Sequence, residues 1–174
     1  MSIKNKNFIY CVSGSGDPNP HVNSNRKLLV ANQITTESKL MGFNIDEANS
    51  IDGNISGSFV SESISAITSG SASTLYTINY EYGGLLVGEN TQFLVKAGSS
   101  TEWKSVEDLT NSDLLLSYNG TGIKGVQFWP TGEIVSESVS FDTISIDYSG
   151  SAGFFSSGSP PQDDSPFYYV RTGS

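Results

Sequence analysis

The sequence predicts an all-β fold in a single domain. Apolar residues recur in short runs with a period of two, which is typical of strands, rather than with the helical period of 3.6. Turn-forming residues separate the runs, among them 18 glycines in 174 residues. The 8 Tyr, 9 Phe and 2 Trp supply enough large apolar surface for a core. No linker or tandem repeat divides the chain, so we expect one domain over residues 1–174.

The order of the elements follows from these runs. Segment 133–148 is longer than a usual strand, so we expect it to bend or to pass between two sheets. This favours a single curved β domain of many short strands, and a β-sandwich is the alternative. One helical turn is predicted over 105–110, with Ser105 as its N-cap. The predicted strands are 8–12, 27–34, 40–46, 57–70, 73–82, 84–89, 91–97, 113–118, 125–129, 133–148 and 167–171.

Charge and composition narrow the possible functions. The formal net charge is −9, and the 9 basic residues are scattered singly. Without a basic cluster to neutralise phosphates, we expect neither nucleic-acid binding nor attraction to an anionic membrane surface. The first residues lack a signal-peptide pattern, and no apolar run is long enough to span a membrane. The single cysteine, Cys11, cannot form an internal disulfide or a cysteine-based zinc cluster, and we predict no cofactor.

Two polar groups have the residue types of a functional site, but the sequence around them favours ordinary surface positions. His21 stands alone in a proline-rich stretch, where a histidine is usually a surface residue. Asp46, Glu47 and Asp52 resemble a hard-cation site, but their spacing does not match a calcium-binding loop. A solvated turn is the preferred interpretation, so no metal is predicted.

An aromatic group offers a carbohydrate-binding alternative. Phe128 and Trp129, with Tyr80 and Tyr82, have the residue types of a sugar-stacking platform. Aromatic residues in strands pack inward more often than they bind ligands. A carbohydrate- or receptor-binding β module therefore remains an alternative.

Three regions of the sequence, in order, resemble one known family. The first has Cys11 and Gly14 in "CVSGSGD", and the third is "FDTISIDYSGSAGFFSSG" at 141–158. The middle region, 87–116, combines a Phe-Leu-Val strand, a tryptophan and two Asp-Leu pairs. These features resemble the Hint superfamily, the horseshoe-shaped β fold of inteins and hedgehog autoprocessing domains. The resemblance implies a core over 11–165, an N-terminal extension over 1–10 and a C-terminal tail over 166–174.

The resemblance also implies a chemistry that this sequence carries incompletely. The family uses a first-position Cys or Ser as nucleophile, a histidine that protonates the departing nitrogen, and a His-Asn pair before a second nucleophile. Thr91 stands at the histidine position, and 160–166 has neither His nor Asn. If the chain did process itself, its residues would be Cys11, Thr91, Asp164 and Ser165. A small buried hydrophobe is the preferred interpretation of Cys11, because no neighbouring cation lowers its pKa.

These observations favour a non-enzymatic role with no catalytic residues. We expect a structural or assembly protein on an inactive Hint-like scaffold, a minor component of a tailed-phage virion in the capsid decoration, neck or tail. It would assemble in the host cytoplasm with other virion proteins or with copies of itself. Cys11-dependent self-processing is the alternative. Aromatic strand ends can pair with another sheet edge, so the candidate interaction residues are Phe8, Tyr10, Phe167, Tyr168 and Tyr169.

Overall fold

The computed structural model describes residues 3–4, 7–12, 26–46, 55, 57–80, 83–98, 100–118, 126–148, 153–158 and 167–171. Most of them lie in strands, as the sequence predicted. Two short 3-10 helices, Ala31–Gln33 and Val106–Asp108, complete the regular structure of this part of the chain. The strands are β1 Ile3–Lys4, β2 Phe8–Val12, β3 Arg26–Val30, β4 Lys39–Ile45, β5 Gly57–Tyr80, β6 Gly83–Gly88, β7 Gln92–Ala97, β8 Ser100–Ser105, β9 Leu114–Tyr118, β10 Val126–Pro130, β11 Ile134–Tyr148, β12 Phe154–Ser157 and β13 Phe167–Arg171.

All these strands belong to one open antiparallel arrangement. Its order is β10-β9-β7-β13-β12-β2-β4-β5-β11-β1-β6, with β3 added to β2 and β8 added to β7. β6 also pairs with β5, so β5, β11, β1 and β6 close on one another. The predicted all-β, curved single-domain class is confirmed.

β5 is a long strand that connects the part of the sheet containing β4 with the part containing β11. Residues Gly57–Ser63 pair with β4, and the following stretch pairs with β11 as far as Ile78. The sequence divided this segment into two strands because a Ser/Gly run interrupts the apolar pattern. The strand continues through that run because β11 supplies a partner there, with Thr143 opposite Gly70. A register shift between Ser138 and Phe141 interrupts β11, within the segment that we expected to bend.

The core consists of two apolar clusters on the faces of these strands. One contains Ile9, Cys11, Phe93 and Phe154 among its fully buried residues. The other is rich in aromatic rings that meet edge to face or tilted, a geometry that adds to the free energy gained by burying them. Its rings include Tyr10, Phe43, Phe59, Tyr118, Phe155, Phe167 and Tyr169.

The predicted helical turn is present, but its cap differs. The 3-10 helix Val106–Asp108 has Ser105 at the N-cap position, and the Ser105 side chain makes no capping hydrogen bond. The predicted strand 27–34 ends at Val30, because the chain turns into the helix Ala31–Gln33. β1, β8 and β12 were not predicted as strands. Among the described residues, no helix is long and apolar enough to cross a membrane.

Candidate functional site

A tight turn over 88–91 joins β6 to β7 and contains Thr91. The Thr91 amide donates to the Gly88 carbonyl at 3.4 Å, and the Thr91 carbonyl accepts from the Val106 amide at 2.8 Å. Asn90 has a φ of 68°, a left-handed conformation that asparagine tolerates better than most residues. Thr91 itself is fully buried. The turn is therefore fixed by its own backbone bonds and by the 3-10 helix beside it.

Two carboxylates hold this turn to its neighbours. The Glu107 Oε1 atom accepts from the Asn90 amide at 2.7 Å. The Glu89 Oε2 atom accepts from the Thr74 amide on β5 at 3.3 Å. Ionised carboxylates are strong acceptors for backbone N–H groups, so both residues support the turn as acceptors.

Both ends of the described chain meet this turn. Ile3, on β1, lies opposite Val87 at its start. Arg171, on β13, lies opposite Gln92 immediately after it. The sheet therefore brings the N-terminal and C-terminal strands to either side of Thr91.

A small polar cavity opens beside the turn. Its volume is about 280 Å³, and one of its lining residues, Thr143, pairs with Lys4 of the N-terminal strand. Among the described residues that line it, Glu89 is the one titratable side chain, and none carries a thiol, imidazole or ammonium group. The lining residues are Thr68, Gly70, Ser71, Ala72, Glu89, Asn90, Thr143 and Ser145.

Cys11 lies elsewhere, as the fourth of the five residues of β2. It pairs with Lys27 on β3 and Leu40 on β4, and only 1% of it is exposed. Its Sγ atom lies 4.0 Å from the Ile9 carbonyl. Burial raises the pKa of the Cys11 thiol to about 12. The expectation that no cation neighbours Cys11 was wrong, because strand pairing brings Lys27 beside it, but Lys27 offsets the effect of burial only in part. The thiol is therefore protonated at neutral pH, and its strand neighbours are not those of Thr91.

The remaining predicted catalytic and metal candidates are not brought together by the described structure. Asp164, Ser165, His21, Glu47 and Asp52 lie outside the described residues. Asp46 is exposed at the end of β4. No group of three or more His, Cys, Asp or Glu side chains in the described part of the chain is arranged to hold a metal ion.

The aromatic residues proposed for contact with another chain lie mainly in the core. Phe167, Tyr168 and Tyr169 are each at most 1% exposed, and Tyr10 is 7% exposed. β13 pairs with β12 on one side and with β7 and β9 on the other, so its backbone is not an open edge. Phe8 is half-buried. These rings are buried because both faces of their strands pack against other layers, which the period-two pattern alone does not show.

The sugar-platform residues are distributed in a similar way. Phe128 and Trp129 are half-buried on β10 and pack against the two core clusters. The Lys96 ammonium lies 5.9 Å from the centre of the Phe128 ring. The Tyr80 side chain and Tyr82 lie outside the described part of the structure.

Sequence reasoning missed a polar cluster at the C-terminal end of β13. The Arg171 guanidinium lies 4.3 Å from the centre of the Trp103 ring, and its Nε donates to Gln92 Oε1. Burial lowers the pKa of Arg171 and raises the pKa of Tyr148, and the two groups interact. The register of β13 against β7 places Arg171 opposite Gln92, while Trp103 lies on β8 and Tyr148 on β11, so no local sequence signal points to the cluster.

Asp113, part of the motif that carried the resemblance, has a structural role. Its Oδ2 accepts from the Thr110 amide at 2.8 Å and pairs with Lys104 Nζ at 3.1 Å. Its carbonyl accepts from both the amide and the hydroxyl of Thr131. The motif therefore fixes the turn before β9.

Comparison with solved structures identifies the class of fold. The transcription factor IIB Mvu mini-intein superposes with a TM-score of 0.67 at 11% identity, covering 98% of this chain and 99% of that one. The AceL NrdHF class 3 split intein, in a splice-inactive variant, gives 0.65 at 9% identity and covers 99% of both. The DnaB intein from Synechocystis sp. PCC 6803 gives 0.63 at 12% identity and covers 97% of both. No protein-family model and no curated protein sequence matches the chain.

The fold is therefore that of inteins and other Hint-like domains, as the sequence resemblance implied. At these identities the likeness establishes the fold alone. The superpositions extend over nearly the whole of each chain. β1 and β2 at one end and β13 at the other are paired strands of the same arrangement.

Proposed function

We propose that this chain is a non-enzymatic structural or assembly module that uses a Hint-like scaffold without its chemistry. One observation carries the proposal. At the turn where the two ends of the described chain meet, the histidine position is occupied by Thr91, a fully buried residue fixed by backbone hydrogen bonds.

The chemistry of acyl transfer explains why this matters. A departing amide nitrogen needs a proton donor with a pKa near the working pH, and a threonine hydroxyl is far too weak an acid. Glu89 is the titratable side chain among the described residues that line the adjacent cavity, but its carboxylate accepts a hydrogen bond from the Thr74 amide. The nucleophile of such a reaction must also be ionised or activated, whereas burial keeps the Cys11 thiol protonated.

We place this module in a tailed-phage particle, as a minor component of the capsid decoration, neck or tail. Its acidic charge and turn-rich composition support this placement by analogy of composition. Its partners would be other virion proteins or copies of itself, with assembly in the host cytoplasm.

Intact-mass measurement tests the loss of chemistry. Freshly expressed protein, with and without dithiothreitol, should give one species of 18.6 kDa, allowing for removal of the initiator methionine. Thiol-dependent fragments that disappear in Cys11→Ala would overturn the proposal. Thr91→His is the matched gain-of-function variant, and we expect it also to stay intact because Cys11 lies on a different part of the sheet.

The particle assignment needs a separate measurement. Quantitative mass spectrometry of density-purified particles from the source of the gene should recover the chain at a fixed stoichiometry to the major capsid protein. Its absence from particles, while it is present in the producing cells, would overturn the placement and leave the conclusion on chemistry untouched.

Self-processing is the second candidate, because the convergence of the chain ends favours it. Ile3 opposite Val87 and Arg171 opposite Gln92 bring both ends to one turn. The test places a folded carrier protein at each end of the chain. An uncleaved fusion is expected, and release or joining of the carriers would make self-processing the better assignment.

A further inference from the structure

In the described part of the chain, the outer edge of β11 has no partner strand over residues 134–138. These residues pair with β5 on one side, and β1 pairs with the other side of β11 at Thr143 and Ile144. No other described strand pairs with this edge. An open edge presents backbone N–H and C=O groups to which another strand can add.

This edge lacks the basic residues and the proline that three other edges carry. Among the described strands, β3, β8 and β10 each pair with a single neighbour. β3 contains Arg26 and Lys27, β8 contains Lys104, and β10 ends in Pro130. Basic side chains and proline discourage pairing at sheet edges. Segment 134–140 contains neither.

Two exposed valines lie on the same edge. Val135 is 42% exposed and Val139 is 38% exposed, and they are the large hydrophobic residues left exposed in the described structure. An added strand would cover them with its own side chains, and such cross-strand pairs stabilise sheets. The register shift after Ser138 ends the regular pairing, so a docked strand would extend over about five residues.

Charge identifies the kind of strand that fits. Glu133 and Glu137 are exposed here, and segment 133–142 contains no basic residue. A second copy of this chain would bring a second net charge of −9 to the edge, and the like charges repel. A strand with basic side chains would instead be attracted to Glu133 and Glu137.

We propose that residues 134–138 of β11 form a docking edge for an extended, lysine- or arginine-bearing segment of another protein, which joins the sheet by β-augmentation. Such docking would be one means of the assembly proposed above, and its biological purpose depends on that proposed function. Its test is independent of the mass measurements, since a chain that does not cleave itself can still fail to bind a strand.

The probe is a fluorescein-labelled, N-acetylated peptide amide of sequence Lys-Val-Lys-Val-Thr-Val-Lys. Fluorescence anisotropy should show saturable binding with a dissociation constant on the order of 100 µM. A control peptide has the same sequence with alternate backbone amides N-methylated. It retains the charge but loses the donors for strand pairing, so we expect binding at least about tenfold weaker. Equal binding of the two peptides would mean that charge alone attracts them, and would overturn the proposal.

The variant Val135→Lys/Val139→Lys tests the location. Both side chains are exposed, so the fold should survive, which circular dichroism and urea unfolding verify. We expect at least about a tenfold loss of affinity for the unmodified peptide, because two positive charges replace apolar contacts. The control is Ser100→Lys on the edge strand β8, which should change affinity by less than about twofold. Wild-type affinity in the double variant would overturn the proposal, as would a dimer of the free chain that the same double variant dissociates.

Discussion

The hydroxyl of Tyr169 on β13 is hydrogen-bonded to both backbone groups of Phe43 on β4. It accepts from the Phe43 amide at 2.8 Å and donates to the Phe43 carbonyl at 3.2 Å. It also accepts from the Gly153 amide at 2.8 Å. A phenol offers one donor and two acceptor positions, so this hydroxyl is fully used. One side chain therefore links β4, the residue before β12, and β13.

Replacing Tyr169 with Phe should destabilise the fold strongly. The substitution keeps the buried ring but leaves two buried N–H groups and one carbonyl without this partner. Unpaired buried polar groups cost about 1–3 kcal/mol each, so we expect a loss of about 3 kcal/mol in the free energy of unfolding. Urea denaturation measures it. The control is Tyr76→Phe, on a half-buried side chain of β5, with an expected change below about 0.5 kcal/mol. Equal losses in the two variants would contradict the role given to the Tyr169 hydroxyl.

Stability should fall at alkaline pH. Burial raises the pKa of Tyr169 to about 12 and that of Cys11 to about 12, from ordinary values of 10.0 and 9.0. Between the ordinary pKa and the raised pKa of each group, the folded chain keeps a proton that the unfolded chain releases. The contribution of each group to the free energy of unfolding is therefore complete below the ordinary pKa, and it is lost as the pH rises toward the raised pKa of the folded chain. Urea unfolding between pH 8 and pH 11 should show a decline that begins at about pH 9.

The variant Cys11→Ala separates the two groups. It removes the thiol, so the decline should begin nearer to about pH 10, where an ordinary tyrosine ionises. A profile that starts to fall at the same pH as the wild type would show that Cys11 does not contribute.

Gly153 should be intolerant of a side chain. A Cβ atom there would lie 2.3 Å from the Val170 carbonyl oxygen and 2.8 Å from the Trp103 ring. The neighbouring backbone belongs to β13, which is buried and paired on both sides, so it has little freedom to move. We expect Gly153→Ala to lower the free energy of unfolding by about 2–3 kcal/mol. The matched variant Gly70→Ala meets only Thr143 Oγ1 at 3.8 Å and should cost less than about 0.5 kcal/mol.

The sequence predicted the fold better than it predicted the site. Strands such as β7, β9 and β11 were found because alternation and turn residues are local signals. β12 and β8 were not, since "FFSS" and "STEWKS" contain too few apolar positions for a period to show. The break predicted at 71–72 is absent, because the β11 residues that keep β5 continuous there lie about 70 residues away in the sequence and leave no local signal.

The position of Cys11 shows why site prediction from the sequence is harder. A Cys-x-x-Gly motif is local, but whether the cysteine meets Thr91 depends on the strand on which it lies. Cys11 is the fourth residue of the five-residue strand β2, between β3 and β4. Likewise, the two ends of the described chain meet at 87–92 only through the pairings of Ile3 and Arg171.

Cys11 should react very slowly in the native protein. The thiolate is the reactive species, and a pKa of about 12 leaves only a minute fraction of the thiol ionised at pH 8. Burial also limits the access of a reagent, because only 1% of Cys11 is exposed. Treatment with 5,5′-dithiobis(2-nitrobenzoate) should therefore label Cys11 at least about a hundredfold more slowly in buffer than in denaturing urea. The control is Cys11→Ala/Ser73→Cys, whose cysteine replaces an exposed serine on β5 and should react at once in both conditions. Fast native labelling of the wild type would mean that Cys11 is accessible and acidic, and it would return self-processing to consideration.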